Sequence, residues 1–252
     1  PDLIPTCLEA LATAQHLLVE ARKGVSAMVV RGGRLDGDLV DQHQLAAHGY
    51  AWLSTYVASL QQMVGWVERL ETDGKLSELE TLMLQSAYGE YLSQIAGGIP
   101  MTQVEIVRLR DMGVSDEAIH AFHTPAVMTL ARAGNSDAGR MRIAELIAHG
   151  NYGTLGLDET QEMIRDQFRR FVEEKVVPDA HGWHERDELI PMAIIEEMAE
   201  LGVFGLTIPE EYGGLGMDKM SMCIVTEELS RGYIGVGSLG TRSEIAAELI
   251  RL

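Results

Sequence analysis

Apolar side chains recur along most of this chain at the spacing of an α-helix, and that pattern limits the fold more than any other feature. In its clearest stretch they follow one another at steps of four, three, four and three, at Leu53, Val57, Leu60, Val64 and Val67. Such steps place side chains on one face of a helix with about 3.6 residues per turn. The pattern therefore predicts an all-α protein in which each helix buries one face.

Turn-forming residues divide the first part of the chain into segments. A long first helix is predicted from the apolar stripe Leu8, Leu11, Leu18, Ala21, Val25 and Met28. The glycine-rich residues 32–38 should break the chain, and the Gly-Gly-Ile-Pro sequence at 97–100 should end another helix. Thr102 with Glu105 has the pattern of a capping box, which predicts that a helix restarts there. Ser115 should open a further helix.

Residues 149–156, His-Gly-Asn-Tyr-Gly-Thr-Leu-Gly, show little helical periodicity. Turn-forming residues at this density are typical of a connection between domains. We place a domain boundary here, so that residues 1–150 form a helical N-terminal extension and residues 151–252 form a second helical domain. A chain of 252 residues is long enough for two small domains.

The second segment begins with a new amphipathic face that includes Phe168 and Phe171. Pro178 should end that helix within a few residues, because proline disrupts a helix interior. Pro191 is expected to be the first residue of the next helix and Gly202 its C-terminal glycine. Asp218 should cap the helix after that.

Residues 235–240, Gly-Val-Gly-Ser-Leu-Gly, match the GxGxxG pattern of dinucleotide-binding proteins. That pattern works only between a strand and a helix, where backbone N–H groups meet a pyrophosphate. Because residues 224–231 have a helical pattern, we interpret the glycines as a connection that lets a helix or a ligand approach closely. Thr241 with Glu244 is predicted as a capping box that opens the last helix. A nicotinamide-linked enzyme is the weaker alternative.

Other residues of chemical interest form no recognisable motif. His181, His184 and Glu185 lack the spacing of a zinc-protease helix, and we interpret them as part of a solvated loop after Pro178. The aspartates within residues 36–41 lack the later glycine and the final glutamate of an EF-hand loop. Neither a metal site nor a nucleophilic triad is predicted.

The formal net charge is −18, from 38 acidic and 20 basic residues. Nucleic acids and anionic membranes attract basic surfaces, so neither is expected as a partner. No apolar run is long enough to cross a membrane. Cys7 and Cys223 are too far apart for a disulfide framework. A pair of thiols in such a chain is typical of the reducing cytoplasm, and we expect a cytoplasmic protein.

Residues 201–216, Leu-Gly-Val-Phe-Gly-Leu-Thr-Ile-Pro-Glu-Glu-Tyr-Gly-Gly-Leu-Gly, form an unusually long structured connection between predicted helices. This segment resembles the signature of the acyl-CoA dehydrogenase family. The resemblance continues upstream at Phe168, Phe171 and Val177-Pro178, and downstream at residues 227–230, Glu-Glu-Leu-Ser. It covers about residues 158 to 252. It implies the N-terminal helical domain of that fold, truncated at its C-terminal end.

The resemblance implies a flavin enzyme that desaturates coenzyme A thioesters. In the family, a glutamate removes the α-proton of the thioester while the N5 atom of FAD accepts a hydride from the β-carbon. The electrons then pass to an electron-transfer flavoprotein, and the enzymes are homodimers or homotetramers. We expect the β-domain and the C-terminal helical domain, with the catalytic base and most flavin contacts, to lie outside this chain. No catalytic or cofactor-binding residue is therefore assigned here, and the chain alone is expected to be inactive.

Residues 1–150 lie outside the common core of the family. Residues 91–101 and the length of the extension are similar to members that carry a long helical N-terminal addition, and residues 238–244 add to the likeness. Among those members, the chain most resembles the one that acts on (2S)-methylsuccinyl-CoA in the ethylmalonyl-CoA pathway. The expected substrate is therefore a short branched or dicarboxylic acyl-CoA.

In the family, the stretch that matches residues 237–245 lines the inner end of the acyl pocket. A buried substrate carboxylate needs a cation or several hydrogen-bond donors. Arg242 is the candidate cation, because arginine is the preferred partner of carboxylates. Ser238, Thr241 and Ser243 are the candidate donors. The alternative is that Arg242 is a solvated residue in the first turn of a helix.

A different class of function is also open from the sequence, a non-enzymatic helical interaction module that uses the same helices. The apolar faces of residues 1–150 need a partner in either case, and nothing in them carries identifiable chemistry. Flavin absorbance in the native protein separates an enzyme from such a module.

Overall fold

The computed structural model describes residues 2–251. The chain divides into two compact units, residues 1–156 and residues 157–252. The described residues of both units are predominantly helical, as predicted. The strands among them are two-residue antiparallel pairs, Val30–Arg31 with Arg34–Leu35 and Ile99–Pro100 with Ile106–Val107. The all-α prediction is therefore confirmed.

The first unit is a bundle of long helices joined by two short hairpins. Its elements are α1 (Leu3–Val29), β1 (Val30–Arg31), β2 (Arg34–Leu35), α2 (Gly37–Gln42), α3 (Gln44–Thr72), α4 (Glu78–Gly97), β3 (Ile99–Pro100), β4 (Ile106–Val107), a 3-10 turn (Leu109–Met112), α5 (Asp116–Phe122), α6 (Pro125–Ala133) and α7 (Asp137–Ala148). Helices α1, α3, α4 and α6 pack around one apolar core.

The predicted stripes supply much of this core. Every residue of the α3 stripe is buried, namely Leu53, Val57, Leu60, Val64 and Val67. In α1, Leu11, Ala21 and Val25 are buried and Leu8 is exposed, while Leu18 and Met28 are partly buried against the same core. The stripe from Leu53 therefore located the buried face of α3 correctly.

Helix starts in this unit were predicted with mixed success. Ser115 caps α5 as expected, since its hydroxyl oxygen accepts a hydrogen bond of 3.2 Å from the N–H of Ala118. The prediction that Thr102 and Glu105 open a helix was wrong. Thr102 lies in the turn between β3 and β4, where its hydroxyl accepts from the N–H of Glu105 at 3.0 Å. The same side-chain chemistry that caps a helix closes a hairpin turn here.

Residues 151–156 pack on the first unit, so the division follows Gly156 rather than Gly150. The N–H of Thr154 donates to the Glu80 carboxylate at 2.6 Å, and the indole N–H of Trp66 donates to the carbonyl of Leu155 at 3.0 Å. Glu80 is buried and also belongs to the capping box that starts α4. These contacts between distant parts of the sequence bind the connection to the bundle.

The second unit contains the signature segment between its helices. Its elements are α8 (Glu159–Phe171), a π-helical turn (Val172–Val176), α9 (Val177–Glu185), α10 (Met192–Glu200), 3-10 turns at Val203–Gly205 and Glu210–Tyr212, α11 (Lys219–Gly232) and α12 (Ile234–Arg251). A separate apolar core includes Phe168, Phe171, Val172, Met198, Val225 and Val236.

The prediction that Pro178 ends a helix was wrong. The π-helical turn joins α8 directly to α9, and Pro178 lies in the first turn of α9. Proline is accommodated at this junction because the π-helical turn already interrupts the regular α-helical hydrogen bonding just before it. His181 and His184 therefore lie on α9 and not in a loop, although both side chains are exposed.

The ends of α10 and the start of α11 follow the sequence signals closely. Pro191 immediately precedes Met192, the first residue of α10, so it lies one position before the expected place. Gly202 follows the helix with φ of +79°, the left-handed conformation typical of a C-terminal glycine. The carboxylate of Asp218 accepts from the N–H of Ser221 at 2.8 Å and caps α11, as predicted. Hydrogen bonds from Ser221 hold the pKa of Asp218 below its usual range. No helix among residues 2–251 meets the length and apolarity that spanning a membrane requires.

Helices α4 and α6 approach so closely that Gly89 has no room for a side chain. A Cβ atom on Gly89 would lie 2.4 Å from the backbone nitrogen of Asn135 and 2.7 Å from Gly134. We expect Gly89→Ala to lower the free energy of unfolding by about 1–3 kcal/mol, the usual cost of overpacking. Chemical denaturation measures the change.

Gly97 on the same helix is the matched control. No atom of a neighbouring segment lies within 4 Å of a Cβ placed there. Gly97→Ala should leave stability unchanged or raise it by up to about 1 kcal/mol, because alanine favours the helix. Equal effects of the two substitutions would contradict the close approach of α4 and α6.

Candidate functional site

The glycine-rich residues 235–240 lie within a helix and not in a connection between helices. Helix α11 ends at Gly232 and α12 begins at Ile234, with Tyr233 between them. The interpretation of these glycines as a connection was therefore wrong, although the close approach expected from them is present. Thr241 and Glu244 lie in the interior of α12, so they do not form a capping box.

The predicted site residues are all on α12, and three of them share its exposed side. Successive residues turn by about 100° around a helix, so Ser238, Thr241 and Arg242 lie on one side. Ile245 and Leu249 continue that side, with 59% and 68% of their surfaces exposed. Ser243 lies on a different side of the helix from Ser238. The structure therefore brings together Ser238, Thr241 and Arg242, and it separates Ser243 from them.

The hydroxyl groups of the predicted donors are already hydrogen-bonded within the helix. Ser238 donates to the carbonyl of Gly235 at 3.0 Å, and Thr241 to that of Ser238 at 2.9 Å. Ser243 donates in the same way to Gly240 at 2.8 Å. Their oxygens can still accept hydrogen bonds, but their hydrogens are used. Arg242 is exposed, and no ion pair or side-chain hydrogen bond of its guanidinium occurs within residues 2–251.

The opposite side of α12 packs against α11 and residues 203–207. A Cβ on Gly237 would lie 2.0 Å from the hydroxyl oxygen of Ser230 in α11 and 2.8 Å from its backbone nitrogen. A Cβ on Gly240 would lie 2.7 Å from a methyl group of Val203. Small residues at these two positions therefore let α12 lie directly against its neighbours.

Glu244 lies on the same packed side, and sequence reasoning missed its role. Its side chain is 3% exposed. One carboxylate oxygen accepts from the N–H of Thr207 at 3.2 Å, and the other accepts from the hydroxyl of Thr207. A signal for this was available, because Glu244 follows Gly237 and Gly240 at helical spacing. The Thr-x-x-Glu pattern favoured a cap instead.

The signature segment folds back on itself beside α12. The N–H of Leu215 donates to Gly205 at 2.8 Å, and that of Gly216 donates to Ile208 at 2.9 Å. A Cβ on Gly214 would lie 2.0 Å from the Ile208 carbonyl oxygen, so only glycine fits. The segment lines an open depression of about 270 Å³ with residues that include Phe204, Ile208 and Tyr212.

A buried carboxylate ties α11 to α8. Glu228 is 3% exposed and accepts from Arg169 at 2.6 and 3.2 Å and from Arg231 at 3.0 Å. Arg231 also donates to Glu173 at 3.0 Å. Burial raises the pKa of Glu228, but the hydrogen bonds and charges of the two arginines outweigh it and hold the pKa below its usual range. Helix α11, on which α12 rests, is thereby fixed in place.

The described residues do not form a cradle for a dinucleotide. The N–H groups of Val236 and Gly237 both donate to the carbonyl of Tyr233, at 2.9 and 3.2 Å, so they are not free for a pyrophosphate. No strand precedes these glycines in the second unit as described. The depression at the signature segment has no basic side chain among its lining residues. The structure contradicts the nicotinamide alternative.

The structure adds no catalytic or metal residue to this site. Within residues 2–251, no group of three or more histidine, cysteine, aspartate or glutamate side chains could hold a metal ion. His181 lies 3.3 Å from Glu185 one turn along α9, and both are exposed. The exposed side of α12 carries the guanidinium of Arg242, hydroxyl oxygens and apolar side chains.

Comparison with known proteins places the second unit in a family. Residues 158–252 match the family model described as "Acyl-CoA dehydrogenase, N-terminal domain". The chain is 55% identical over 253 aligned residues to (2S)-methylsuccinyl-CoA dehydrogenase of Cereibacter sphaeroides, a match that covers 99% of this chain and 45% of that protein. This similarity therefore includes both units.

Other relatives match shorter parts of the chain. The mitochondrial short-chain specific acyl-CoA dehydrogenase of Rattus norvegicus is 35% identical over 44% of this chain and 27% of its own length. Glutaryl-CoA dehydrogenase of Desulfococcus multivorans is 42% identical over 30% of this chain and 20% of its own length. The chain thus spans less than half the length of each of these relatives.

The contact of Gly237 with Ser230 predicts a strong effect of one added methyl group. Gly237→Ala should push α12 away from α11 and lower the free energy of unfolding by about 1–3 kcal/mol. Gly235 is the matched control, because the atoms nearest its Cβ belong to the side chain of Tyr233, at 2.9 Å, and not to the backbone of a neighbouring helix. Thermal unfolding of the two variants should show the larger loss for Gly237→Ala. The reverse order would contradict the packing of α12.

The buried Glu228 predicts a stability difference that depends on pH. Its folded pKa is lowered, so its contribution is present above the unfolded pKa and is lost as pH falls through the folded value. Glu228→Gln should lower the free energy of unfolding by about 2 kcal/mol at pH 7 through the loss of charged hydrogen bonds. Denaturation at several pH values should show the difference from wild type shrinking in acid. Glu188→Gln, which removes an exposed carboxylate paired with Arg186, should have almost no effect at either pH.

Proposed function

We propose that this chain, whose residues 158–252 are an acyl-CoA dehydrogenase N-terminal domain, is the N-terminal portion of a flavin-dependent acyl-CoA dehydrogenase. One observation carries the proposal, the 55% identity to (2S)-methylsuccinyl-CoA dehydrogenase over 99% of the chain. A match of that extent includes residues 1–156, which lie before the family domain. This match favours a single enzyme with a helical N-terminal extension, rather than a non-enzymatic interaction module that uses the same helices.

The proposed reaction is the α,β-desaturation of (2S)-methylsuccinyl-CoA to mesaconyl-CoA. One proton leaves the α-carbon, and a hydride leaves the β-carbon, so that a double bond forms between them. FAD, when bound by the longer protein, supplies the hydride acceptor. We propose that an electron-transfer flavoprotein then takes up the electrons and that the enzyme is a cytoplasmic homodimer or homotetramer. The acid–base chemistry is assigned to no residue of this chain.

The contribution of this chain is recognition of the acyl group by the exposed side of α12. Methylsuccinyl-CoA ends in a free carboxylate, which must find a cation or several donors when it leaves water. Arg242 offers a guanidinium without a carboxylate partner in the described part of the chain. An arginine can hold a carboxylate through two parallel hydrogen bonds. We therefore assign Arg242 to the substrate carboxylate.

The hydroxyl groups take a smaller part in this proposal. The hydrogens of Ser238 and Thr241 go to helix carbonyls, so these residues shape the surface and accept hydrogen bonds more readily than they donate. Ile245 and Leu249 provide the apolar surface for the carbon chain of the substrate. Ser243 points away from Ser238 around the helix and contributes least to the proposed contact.

The test is dehydrogenation of (2S)-methylsuccinyl-CoA by the full-length flavoprotein, compared with 2-methylbutyryl-CoA, in which a methyl group replaces the free carboxylate. Flavin absorbance of the native protein and reduction of an electron acceptor report the activity. We expect Arg242→Met to lower kcat/KM for the dicarboxylic ester by about 10–100-fold, the range expected from losing a charged contact of about 1.5–3 kcal/mol. Activity on 2-methylbutyryl-CoA should change little.

Arg170→Met is the control, because Arg170 is an exposed arginine of α8 whose side chain bonds the carbonyl of Asp166. It should leave both activities unchanged. Full activity of Arg242→Met on the dicarboxylic ester would overturn the assignment of Arg242. A wild-type protein without flavin, or without activity on any acyl-CoA, would overturn the proposed function itself.

A further inference from the structure

Glu244 is a buried carboxylate whose hydrogen bonds both come from a single residue of another segment. Its side chain is 3% exposed, and it accepts from the N–H and from the hydroxyl of Thr207. Carboxylates are almost never buried without partners, because the loss of hydration is costly. The clamp between Glu244 and Thr207 is therefore a specific contact and not incidental packing.

Thr207 is itself held by the signature segment. It follows the 3-10 turn Val203–Gly205 and precedes Pro209, and its neighbours Leu206 and Ile208 accept from the N–H groups of Met217 and Gly216 at 2.7 and 2.9 Å. Both donors of Thr207 thus belong to a closed loop whose two arms are hydrogen-bonded to each other. Two directional hydrogen bonds therefore fix the position of Glu244 relative to that loop.

The contacts of Gly237 and Gly240 on this side of α12 give close approach without direction, and one turn beyond Glu244 a partly exposed hydrogen bond from Lys219 of α11 to Glu248 supplies a second directional contact. Gly237 and Gly240 contribute no side chain to their contacts with Ser230 and Val203, so these contacts contain no side-chain hydrogen bond from α12. Hydrogen bonds weaken steeply when their angles depart from linear, so the Thr207 clamp resists rotation of α12. Arg242 lies two residues before Glu244, about 200° around the helix, and therefore on the exposed side.

We propose that Glu244 is a positioning residue that, through Thr207, fixes the rotation of α12 about its axis and so aims Arg242 at the substrate carboxylate. This inference rests on the proposed function, because the position of Arg242 is tested by comparing KM for two thioesters, one with and one without the free carboxylate. Rotating a side chain about 7–8 Å from the helix axis by about 10° moves its end by more than 1 Å, and displacements of that size reduce rates severely.

The experiment uses three variants of the full-length flavoprotein. Glu244→Gln keeps the shape of the side chain but leaves one oxygen for the two donors of Thr207. Thr207→Val removes only the hydroxyl and serves if Glu244→Gln does not fold. Thr207→Ser retains both donors and is the matched control. Kinetics with (2S)-methylsuccinyl-CoA and 2-methylbutyryl-CoA, together with melting temperatures, compare the variants.

We expect Glu244→Gln and Thr207→Val to raise KM for the dicarboxylic ester by about tenfold while KM for 2-methylbutyryl-CoA changes less than about twofold. Thr207→Ser should behave as wild type. The combination of Arg242→Met with Glu244→Gln should lose no more selectivity than Arg242→Met alone, because both changes act on one contact.

Three results would overturn the positioning role. These are an equal loss with both esters, an unchanged preference in Glu244→Gln and Thr207→Val, and additive losses in the combined variant. If the wild-type enzyme does not prefer the dicarboxylic ester, the proposed substrate is overturned instead. Wild-type preference with normal Glu244→Gln kinetics defeats only the inference about Glu244.

Discussion

The close approach of α12 to α11 is the constraint on which the candidate site depends. Gly237 brings the two helices together at Ser230, and any larger residue there would collide with the backbone of α11. Helix α11 is in turn held to α8 by the buried Glu228 and its two arginines. The packing of one side of α12 against α11 therefore determines which side of α12, with Arg242, is exposed.

This constraint gives the glycines of residues 235–240 a meaning different from that of a nucleotide-binding loop. A phosphate-binding loop needs backbone N–H groups that point outward, whereas Val236 and Gly237 use theirs on the Tyr233 carbonyl. Here the glycines remove side chains so that helices can touch. The two roles share a sequence pattern because both require the absence of a Cβ atom.

Sequence signals predicted the structure correctly where neighbouring residues determine it. The stripe from Leu53 and the helix ends at Ser115, Gly202 and Asp218 depend on residues within a turn or two. Thr102, Pro178 and Thr241 were misassigned because hairpin pairing, a π-helical turn and packing on α11 decided their surroundings. For the candidate site, the sequence predicted a helix only from Thr241 onward, and the role of Arg242 stays a prediction. Partners distant in sequence, such as Thr207 for Glu244, have no local signal.

Most other described arginines of the second unit have a carboxylate partner, whereas Arg242 has none and Arg170 bonds the backbone carbonyl of Asp166. In a chain with 38 acidic and 20 basic residues, most cations find a carboxylate nearby. Arg169 and Arg231 share Glu228, Arg165 pairs with Glu162, and Arg186 pairs with Glu188. Arg242 has no such partner in the part of the chain that the structure describes. An arginine left unpaired on a surface of hydroxyl and apolar groups is suited to a carboxylate that arrives with the substrate.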